Sequence, residues 1–320
     1  MVFFFCLKKA FDCLNHNIYN IYNIYNIYNI YNIYNIYIYI YTHTSIIVKS
    51  PNSKDFQTHI VTAFNYVNKW FKVNLLSINV DKTRYIQFKT KNKPTLDINF
   101  VCNDNLITTL PNIKFLGIYE YIHDSVNWSC HIEYIITKLS SSCYIMRNIK
   151  PLMSSNTFKT IYSFYFNAII SYRLPFWGNS PRTIKIFRMQ KRIIRIIICC
   201  KNRVSCRKLF RRLEILSFVS QYILSLMFFV VKTKNLFTLN LENHTKSTRQ
   251  FNNSYQPINN RTIYQRAIHY MSIKIFNSLP PHIKDISNNV RKFEICLKQF
   301  LHIHSFYSIE EYFQHKSITS

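Results

Sequence analysis

One long segment of this sequence is strongly basic. Between Arg182 and Arg212 there are 12 lysines or arginines and no acidic residue. Cations clustered in this way bind the phosphates of RNA or DNA, and they do so through the nucleic-acid backbone without reading the bases. Eleven of the twelve make up the predicted phosphate-binding set: Lys185, Arg188, Lys191, Arg192, Arg195, Lys201, Arg203, Arg207, Lys208, Arg211 and Arg212.

A helix would position the first five of these cations. On a helical projection, one narrow arc holds Lys185, Arg188, Arg192 and Arg195, with Lys191 beside it. Much of the opposite half holds Ile186, Met189, Ile193, Ile196 and Ile197. The spacing predicts a helix over 184–198 that packs by one face and offers the other to phosphates. A face that is merely solvated, or a helix lying on a membrane surface, is the alternative.

The whole chain shares this basic character. Lysine and arginine number 41 against 14 acidic residues, which gives a net charge of +27 over 320 residues. Such a charge indicates a polyanionic partner, with nucleic acid ahead of an acidic membrane surface. A coding bias toward AT-rich codons is a second source of lysine. Only two glycines are present, which excludes a glycine-rich nucleotide-binding loop.

Cysteine and histidine do not form a recognisable metal site. The nine cysteines include no C-x-x-C pair, and the cluster of Cys199, Cys200 and Cys206 has no histidine nearby. His302, His304 and His315 lack a cysteine or acid at ligand spacing. No metal is therefore predicted, and the odd cysteine number indicates reduced thiols inside the cell.

Two apolar stretches raise the question of a membrane. The N-terminal run ends at Leu7 and is followed by lysines, which is the reverse of a signal peptide. The run over 215–231 is slightly short for a membrane span and carries Ser217, Ser220, Gln221 and Ser225. It is predicted to be a buried helix.

A repeat occupies the region after residue 16. Asn17 to Tyr37 consists of seven Asn-Ile-Tyr triplets, and Ile-Tyr-Ile-Tyr follows. A period of three fits neither a helix nor a strand. Repeated AT-rich codons account for it, and Thr42-His43-Thr44 reads as an AC-type extension. The tract is interpreted as a translated microsatellite.

The segment before the repeat, KKAFDCLNH, resembles motif A of jockey-like non-LTR retrotransposon reverse transcriptases. That motif runs Asp-Leu-Ser-Lys-Ala-Phe-Asp in the family. The resemblance implies that its first aspartate binds catalytic magnesium, and Cys6 stands in its place. Phe11 corresponds to the aromatic residue that screens the sugar of the incoming nucleotide. Asp12 corresponds to the second aspartate, which is not a metal ligand.

The segment after the repeat resembles motif C of the same family. Thr44 to Val48 matches the end of Tyr-Ala-Asp-Asp-Thr-Ser-Ile-Ile-Val, so the two catalytic aspartates fall on Thr42 and His43. A hydroxyl and an imidazole do not reproduce the oxygen-rich site that Mg²⁺ requires. The repeat also stands where the family has its template-gripping motif B.

The resemblance continues along most of the chain. Lys82 aligns with the lysine of motif D, and Gly117 lies in the strand near the primer grip. Further matches extend through the family's thumb and C-terminal region: Trp128, His131, Arg147, Phe176-Trp177-Gly178-Asn179, Gln190-Lys191-Arg192, Lys274-Ile275-Phe276-Asn277 and Leu279-Pro280-Pro281.

These matches imply an α+β chain, in which a truncated reverse-transcriptase palm remnant precedes a mainly α-helical thumb and C-terminal region. The expected segments are a motif A remnant (1–16), the low-complexity tract (17–44), a palm remnant with short strands (45–125), the helical thumb with its basic helices (126–234), a polar linker (235–262) and a C-terminal helical region (263–320).

The activity implied for the ancestor is RNA-directed DNA polymerisation with Mg²⁺, in the nucleus or cytoplasm. Loss of all three ligand positions predicts that this chain has no polymerase activity and no cofactor. Non-specific binding of RNA or DNA remains as the expected function, with no obligate protein partner evident and a membrane disfavoured. The alternatives are a basic membrane-associated protein, or a pseudogene product that does not exist as a stable protein.

Overall fold

The computed structural model describes residues 2–8, 36–40, 43–48, 53–73, 77–78, 83–86, 100–102, 105–107, 112–115, 118–121, 128–201, 203–234, 237 and 254–319. The chain divides into two compact units, Met1–Asn127 and Trp128–Ser320. The division falls two residues after the expected start of the thumb at 126. The expected linker over 235–262 lies mostly outside the described residues.

The first unit is built around an antiparallel sheet. Its strands are β1 (Val2–Lys8), β2 (Ile36–Ile40), β3 (His43–Val48), β4 (Ser77–Ile78) and β5 (Arg84–Ile86). The order is β2-β3-β1-β4, and β5 also pairs with β1. Helix α1 (Ser53–Val73) connects β3 to β4. Strand β1 is therefore central, with the β2–β3 hairpin on one side and the strands that follow α1 on the other.

Two separate hairpins complete the described part of this unit. They pair β6 (Phe100–Cys102) with β7 (Asn105–Ile107), and β8 (Asn112–Phe115) with β9 (Ile118–Tyr121). The apolar residues over 113–119, which predict one short strand, thus contribute to two paired strands. Gly117 lies outside the described residues.

The second unit is helical, which confirms the helical region of the predicted fold. Its α-helices are α2 (Ser129–Ile149), α3 (Ser155–Ile161), α4 (Ala168–Ser171), α5 (Leu174–Trp177), α6 (Ile184–Ile198), α7 (Arg207–Leu213), α8 (Phe218–Lys232), α9 (Thr262–Arg266), α10 (Ile268–Asn277), α11 (Pro281–Asp285), α12 (Val290–His304) and α13 (Ile309–Thr319). Single 3-10 turns occupy Lys150–Leu152, Pro181–Thr183 and Ile286–Asn288.

A π-helical segment joins α3 to α4 over Tyr162–Asn167. Phe158, Tyr162, Phe166 and Ile170 recur every fourth residue, and each is at most 1% exposed. On an α-helix this spacing drifts by about 40° per step around the axis. The wider π turn offsets the drift and keeps all four side chains on one buried face. Apolar residues at helical spacing over 158–172 predict a helix here but do not predict the π-helical turn.

Helix α8 runs through the core of the second unit. Most of its side chains are buried, among them Tyr222, Ile223, Leu226 and Met227. Ser217 caps its first turn by accepting a hydrogen bond from the Ser220 amide. The prediction of a buried helix near 215–231 is confirmed.

Among the described residues, no single helix is long and apolar enough to cross a membrane. Helices α7 and α8, which are bent by 57° relative to each other, have together the length and apolar composition of a span.

Several helices end without glycine. Arg173, Cys199, Glu214 and Ser305 have positive φ angles, and the last three end α6, α7 and α12 in the left-handed conformation. A residue with a Cβ pays about 1 kcal/mol or more in this conformation. Because glycine is scarce in this sequence, residues with a Cβ take the left-handed conformation at the ends of these helices.

Candidate nucleic-acid interface

Helix α6 has the bounds that its pattern predicts, and its buried face is well defined. Ile186, Phe187, Ile193, Ile194 and Ile197 are buried, and the face packs against α2. Met189 and Ile196, predicted on this face, are only half-buried. They lie at its edge, because the buried arc is centred nearer to Gln190 than the apolar residues alone suggest.

Eight of the eleven predicted phosphate-binding residues are exposed cations without an ion pair among the described residues. They are Lys185, Arg188, Arg192, Lys201, Arg203, Lys208, Arg211 and Arg212. We call these eight the basic face. Three come from the solvent side of α6, two from the loop after it, and three from α7.

Arg195 has a structural role instead. Its side chain is half-buried, and its Nε and Nη2 atoms both donate to the carbonyl oxygen of Val204, at 3.1 and 3.0 Å. These bonds hold the loop between α6 and α7 against α6. Arg195 thus supports the basic face and has fewer donors left for a phosphate.

Lys191 and Arg207 surround an aromatic ring. Their charged groups lie 5.4 and 4.6 Å from the centre of the Tyr307 ring, and Lys191 also lies 4.7 Å from the Phe187 ring. Arg207 also donates to Glu311 at 2.5 Å. Both cations are half-buried and less open to a ligand than the basic face. That Lys191 and Arg207 bind phosphates therefore stays a prediction.

Arg147, which is not among the eleven predicted phosphate-binding residues, lies near the basic face. Burial raises the pKa of the Cys143 thiol, while Arg192 and Arg147 both act to lower it. Arg147 of α2 and Arg192 of α6 therefore lie near the same thiol, and both are exposed. Only the packing of α2 against α6 brings them together.

Arg182, the twelfth cation of the basic segment, donates to Glu133 at 2.6 Å. Its positive charge is therefore neutralised by an acidic partner.

Gln190 fixes α6 in the core. Its Nε2 atom donates to the Tyr162 hydroxyl and to the Leu216 carbonyl, both at 3.0 Å, and its Oε1 accepts from the Phe218 amide at 2.7 Å. Side chains buried this deeply need such partners, because an unmet polar group costs about 1–3 kcal/mol. The role of Gln190 is to join α6, the π-helical segment and the start of α8.

The Phe-Trp-Gly-Asn signature also has a packing explanation. Trp177 is fully buried, and its Nε1 atom donates to the Tyr172 carbonyl at 3.0 Å. A Cβ on Gly178 would lie 2.3 Å from the Tyr222 ring. Glycine is needed here because the ring approaches the backbone too closely for any side chain.

Two of the three positions predicted to have lost a catalytic aspartate are paired in the sheet of the first unit. Cys6 on β1 and His43 on β3 are direct cross-strand partners. Thr42, Phe11, Asp12, Lys82 and Gly117 lie outside the described residues.

No metal-binding group is found in the described part of the chain. No set of three or more histidine, cysteine or acidic side chains there could hold a metal ion. Six cysteines of the second unit are free, and of these Cys199 is exposed, Cys200 half-buried and Cys206 buried. His302 and His304 are half-buried, and burial lowers the pKa of both.

Comparisons with protein-family models, with curated proteins and with solved structures gave no match.

Proposed function

We propose that the second unit binds RNA or DNA without sequence preference, through the phosphates and the basic face. The observation that supports this most directly is the set of eight exposed cations that have no acidic partner among the described residues. A solvated surface usually intersperses both signs of charge. A surface of one sign attracts a polyanion and gains affinity by releasing its counterions.

We further propose that the chain descends from a non-LTR reverse transcriptase and has lost polymerase activity. The sheet of the first unit supports this descent. Its strand order is β2-β3-β1-β4, with a helix between β3 and β4. This order pairs β1, which carries the Cys6 position of the motif A match, with β3, which carries most of the motif C match.

The pairing of Cys6 with His43 supports the proposed loss of activity. In the resembled family the motif A strand and the motif C hairpin bring their aspartates together around two Mg²⁺ ions. In this chain the register of β1 and β3 places Cys6 opposite His43. Cysteine and histidine are soft and borderline types of ligand, which do not suit Mg²⁺. No cofactor is proposed for this chain.

Binding can be tested by fluorescence anisotropy with the full-length chain and a labelled 16-nucleotide RNA. We expect the affinity to fall steeply as salt rises from 50 to 200 mM. The combined variant Lys185→Gln, Arg188→Gln and Arg192→Gln should weaken binding and make the slope of log affinity against log salt shallower by about 3.

A matched control removes the same total charge elsewhere. Lys232, Arg291 and Lys292 are exposed cations of α8 and α12, and their combined replacement by glutamine should change affinity much less. Equal weakening by both triple variants would mean that net charge, rather than the basic face, governs binding. Absence of salt-dependent binding by the wild-type chain would refute the proposed function.

Polymerase activity can be tested separately by primer extension on an RNA template with Mg²⁺ and with Mn²⁺. We expect no extended product. Robust synthesis that a metal chelator abolishes would overturn the proposed loss of activity, while leaving nucleic-acid binding as it stands.

A further inference from the structure

A cleft of about 570 Å³ opens beside the basic face in the second unit. Six aromatic residues line it: Phe187, Phe218, Tyr222, Tyr270, Tyr307 and Phe313. The volume lies within the range of about 300–1,000 Å³ that is usual for small-molecule sites. The cleft thus offers several aromatic surfaces to a ligand about the size of a nucleotide.

The mouth of the cleft carries cations. Arg266 and Lys274 line it, both are exposed, and neither has an ion pair among the described residues. The Lys274 amine lies 4.7 Å from the centre of the Phe313 ring. One acidic residue, Glu310, also lines the cleft. Two cations against one acid favour an anionic ligand that has an aromatic part.

The cleft and the basic face share a boundary. Phe187 and Tyr307 line the cleft, and the same two rings lie beneath the Lys191 amine, at 4.7 and 5.4 Å. Lys191 lies on α6 between Arg188 and Arg192 of the basic face. A strand whose phosphates follow the basic face therefore passes the opening of the cleft.

From this arrangement we propose that the cleft takes an unstacked base of a single-stranded nucleic acid whose phosphates lie on the basic face. The proposal rests on the proposed nucleic-acid binding and extends it by naming the form of the ligand. Aromatic rings stack on any base, so the site needs no sequence preference. Arg266 and Lys274 hold the phosphates that flank the inserted base. A duplex does not fit, because its bases are stacked and paired.

The experiment compares two 12-nucleotide single-stranded DNAs with equal phosphate charge. One is oligo(dT) and the other consists of abasic residues. Stacking of one base on aromatic side chains contributes about 1–3 kcal/mol, so we expect the full-length chain to bind oligo(dT) at least about fivefold more tightly. Ile184→Trp should block the cleft, since Ile184 lines it and is 54% exposed, and should remove this difference without changing affinity for the abasic strand.

Ile295→Trp is the matched control, because Ile295 is 56% exposed on α12 and does not line the cleft. It should keep the wild-type preference for bases. Tyr270→Ala provides a second variant, which removes a half-buried ring of the cleft and should reduce the preference too. Circular dichroism establishes that each variant is folded.

Two failures can be told apart. If neither DNA binds in a salt-dependent way, the proposed nucleic-acid binding is wrong. If both DNAs bind with the same affinity, or if Ile184→Trp keeps the wild-type preference, phosphate binding stands and the base-binding cleft is refuted.

Discussion

Helices α6 and α8 have the same length of 15 residues but opposite relations to the core. Helix α8 carries a single charged residue, Lys232, and buries nine side chains. Helix α6 carries five cations and buries six. The comparison shows that the second unit is organised around α8, while α6 covers one side of it and faces solvent with its charges.

A buried hydrogen bond, in addition to apolar packing, joins the two helices. Gln190 of α6 accepts a hydrogen bond from the backbone at Phe218, where α8 begins. This contact fixes how far along α8 the basic helix sits, because a buried amide must keep its partners. Packing of isoleucine side chains alone tolerates small shifts more readily.

The largest expected difference between the helices concerns stability. Leu226→Ala removes a fully buried side chain from α8 and should lower the free energy of unfolding by about 2–5 kcal/mol. Ile184→Ala, at an exposed position of α6, should change it by less than about 0.5 kcal/mol. Urea denaturation followed by tryptophan fluorescence measures both. Similar losses in the two variants would contradict the assignment of α8 as the core helix.

A pH effect should follow from a buried histidine that contacts the core around α8. The His131 ring lies 5.6 Å from Trp177, which in turn lies 5.9 Å from Phe218. Burial lowers the pKa of His131 from 6.5 to about 4. Between these values the unfolded chain binds the proton and the folded chain does not, so stability falls as pH drops from 6.5 to 4.

The size of this loss is up to about 3 kcal/mol, at 1.36 kcal/mol for each pKa unit. It should be absent from His131→Phe, which keeps a ring between Trp128 and Trp177 but cannot titrate. Unfolding measured at pH 7 and pH 4.5 in both proteins gives the difference. An identical pH dependence in the variant would show that other groups cause the loss.

The smallest expected effect separates two arginines of α6. Arg195→Gln breaks the hydrogen bonds to Val204 and should lower stability by about 1 kcal/mol. Arg188→Gln should leave stability nearly unchanged and weaken RNA binding instead, since Arg188 is exposed and has no ion pair among the described residues. Thermal unfolding and anisotropy, run on both variants, test this division. The reverse pattern would mean that Arg195 is the phosphate contact.

Periodic sequence patterns predicted local structure well where one face of a helix is apolar. The bounds of α6 follow from its pattern, and apolar residues at helical spacing over 55–71 predict α1 to within two residues at each end. The apolar stripe that predicts α2 includes Ile145, which is instead 47% exposed, whereas Met146 is 1% exposed. The helix turns by 100° per residue, so an error of one position moves a side chain from the core to the surface.

Other features of the structure could not be predicted from the local sequence pattern. The π-helical segment is visible in the sequence only as a four-residue spacing of Phe158, Tyr162, Phe166 and Ile170, which a slightly irregular α-helix would also give. The aromatic cleft gathers side chains from α6, α8, α10 and α13, whose distances in the chain are too large for any spacing rule to connect.

The sequence by itself determined the net charge, the basic run, the repeat and most helix positions, because these depend on residue types and on the fixed geometry of the backbone. Only the tertiary structure decided which cations are open to a ligand. Arg182 and Arg207 are matched by Glu133 and Glu311, and Arg195 is bonded to Val204. Ion pairs and hydrogen bonds act over a few ångströms in space, so their partners are fixed by packing and not by order along the chain.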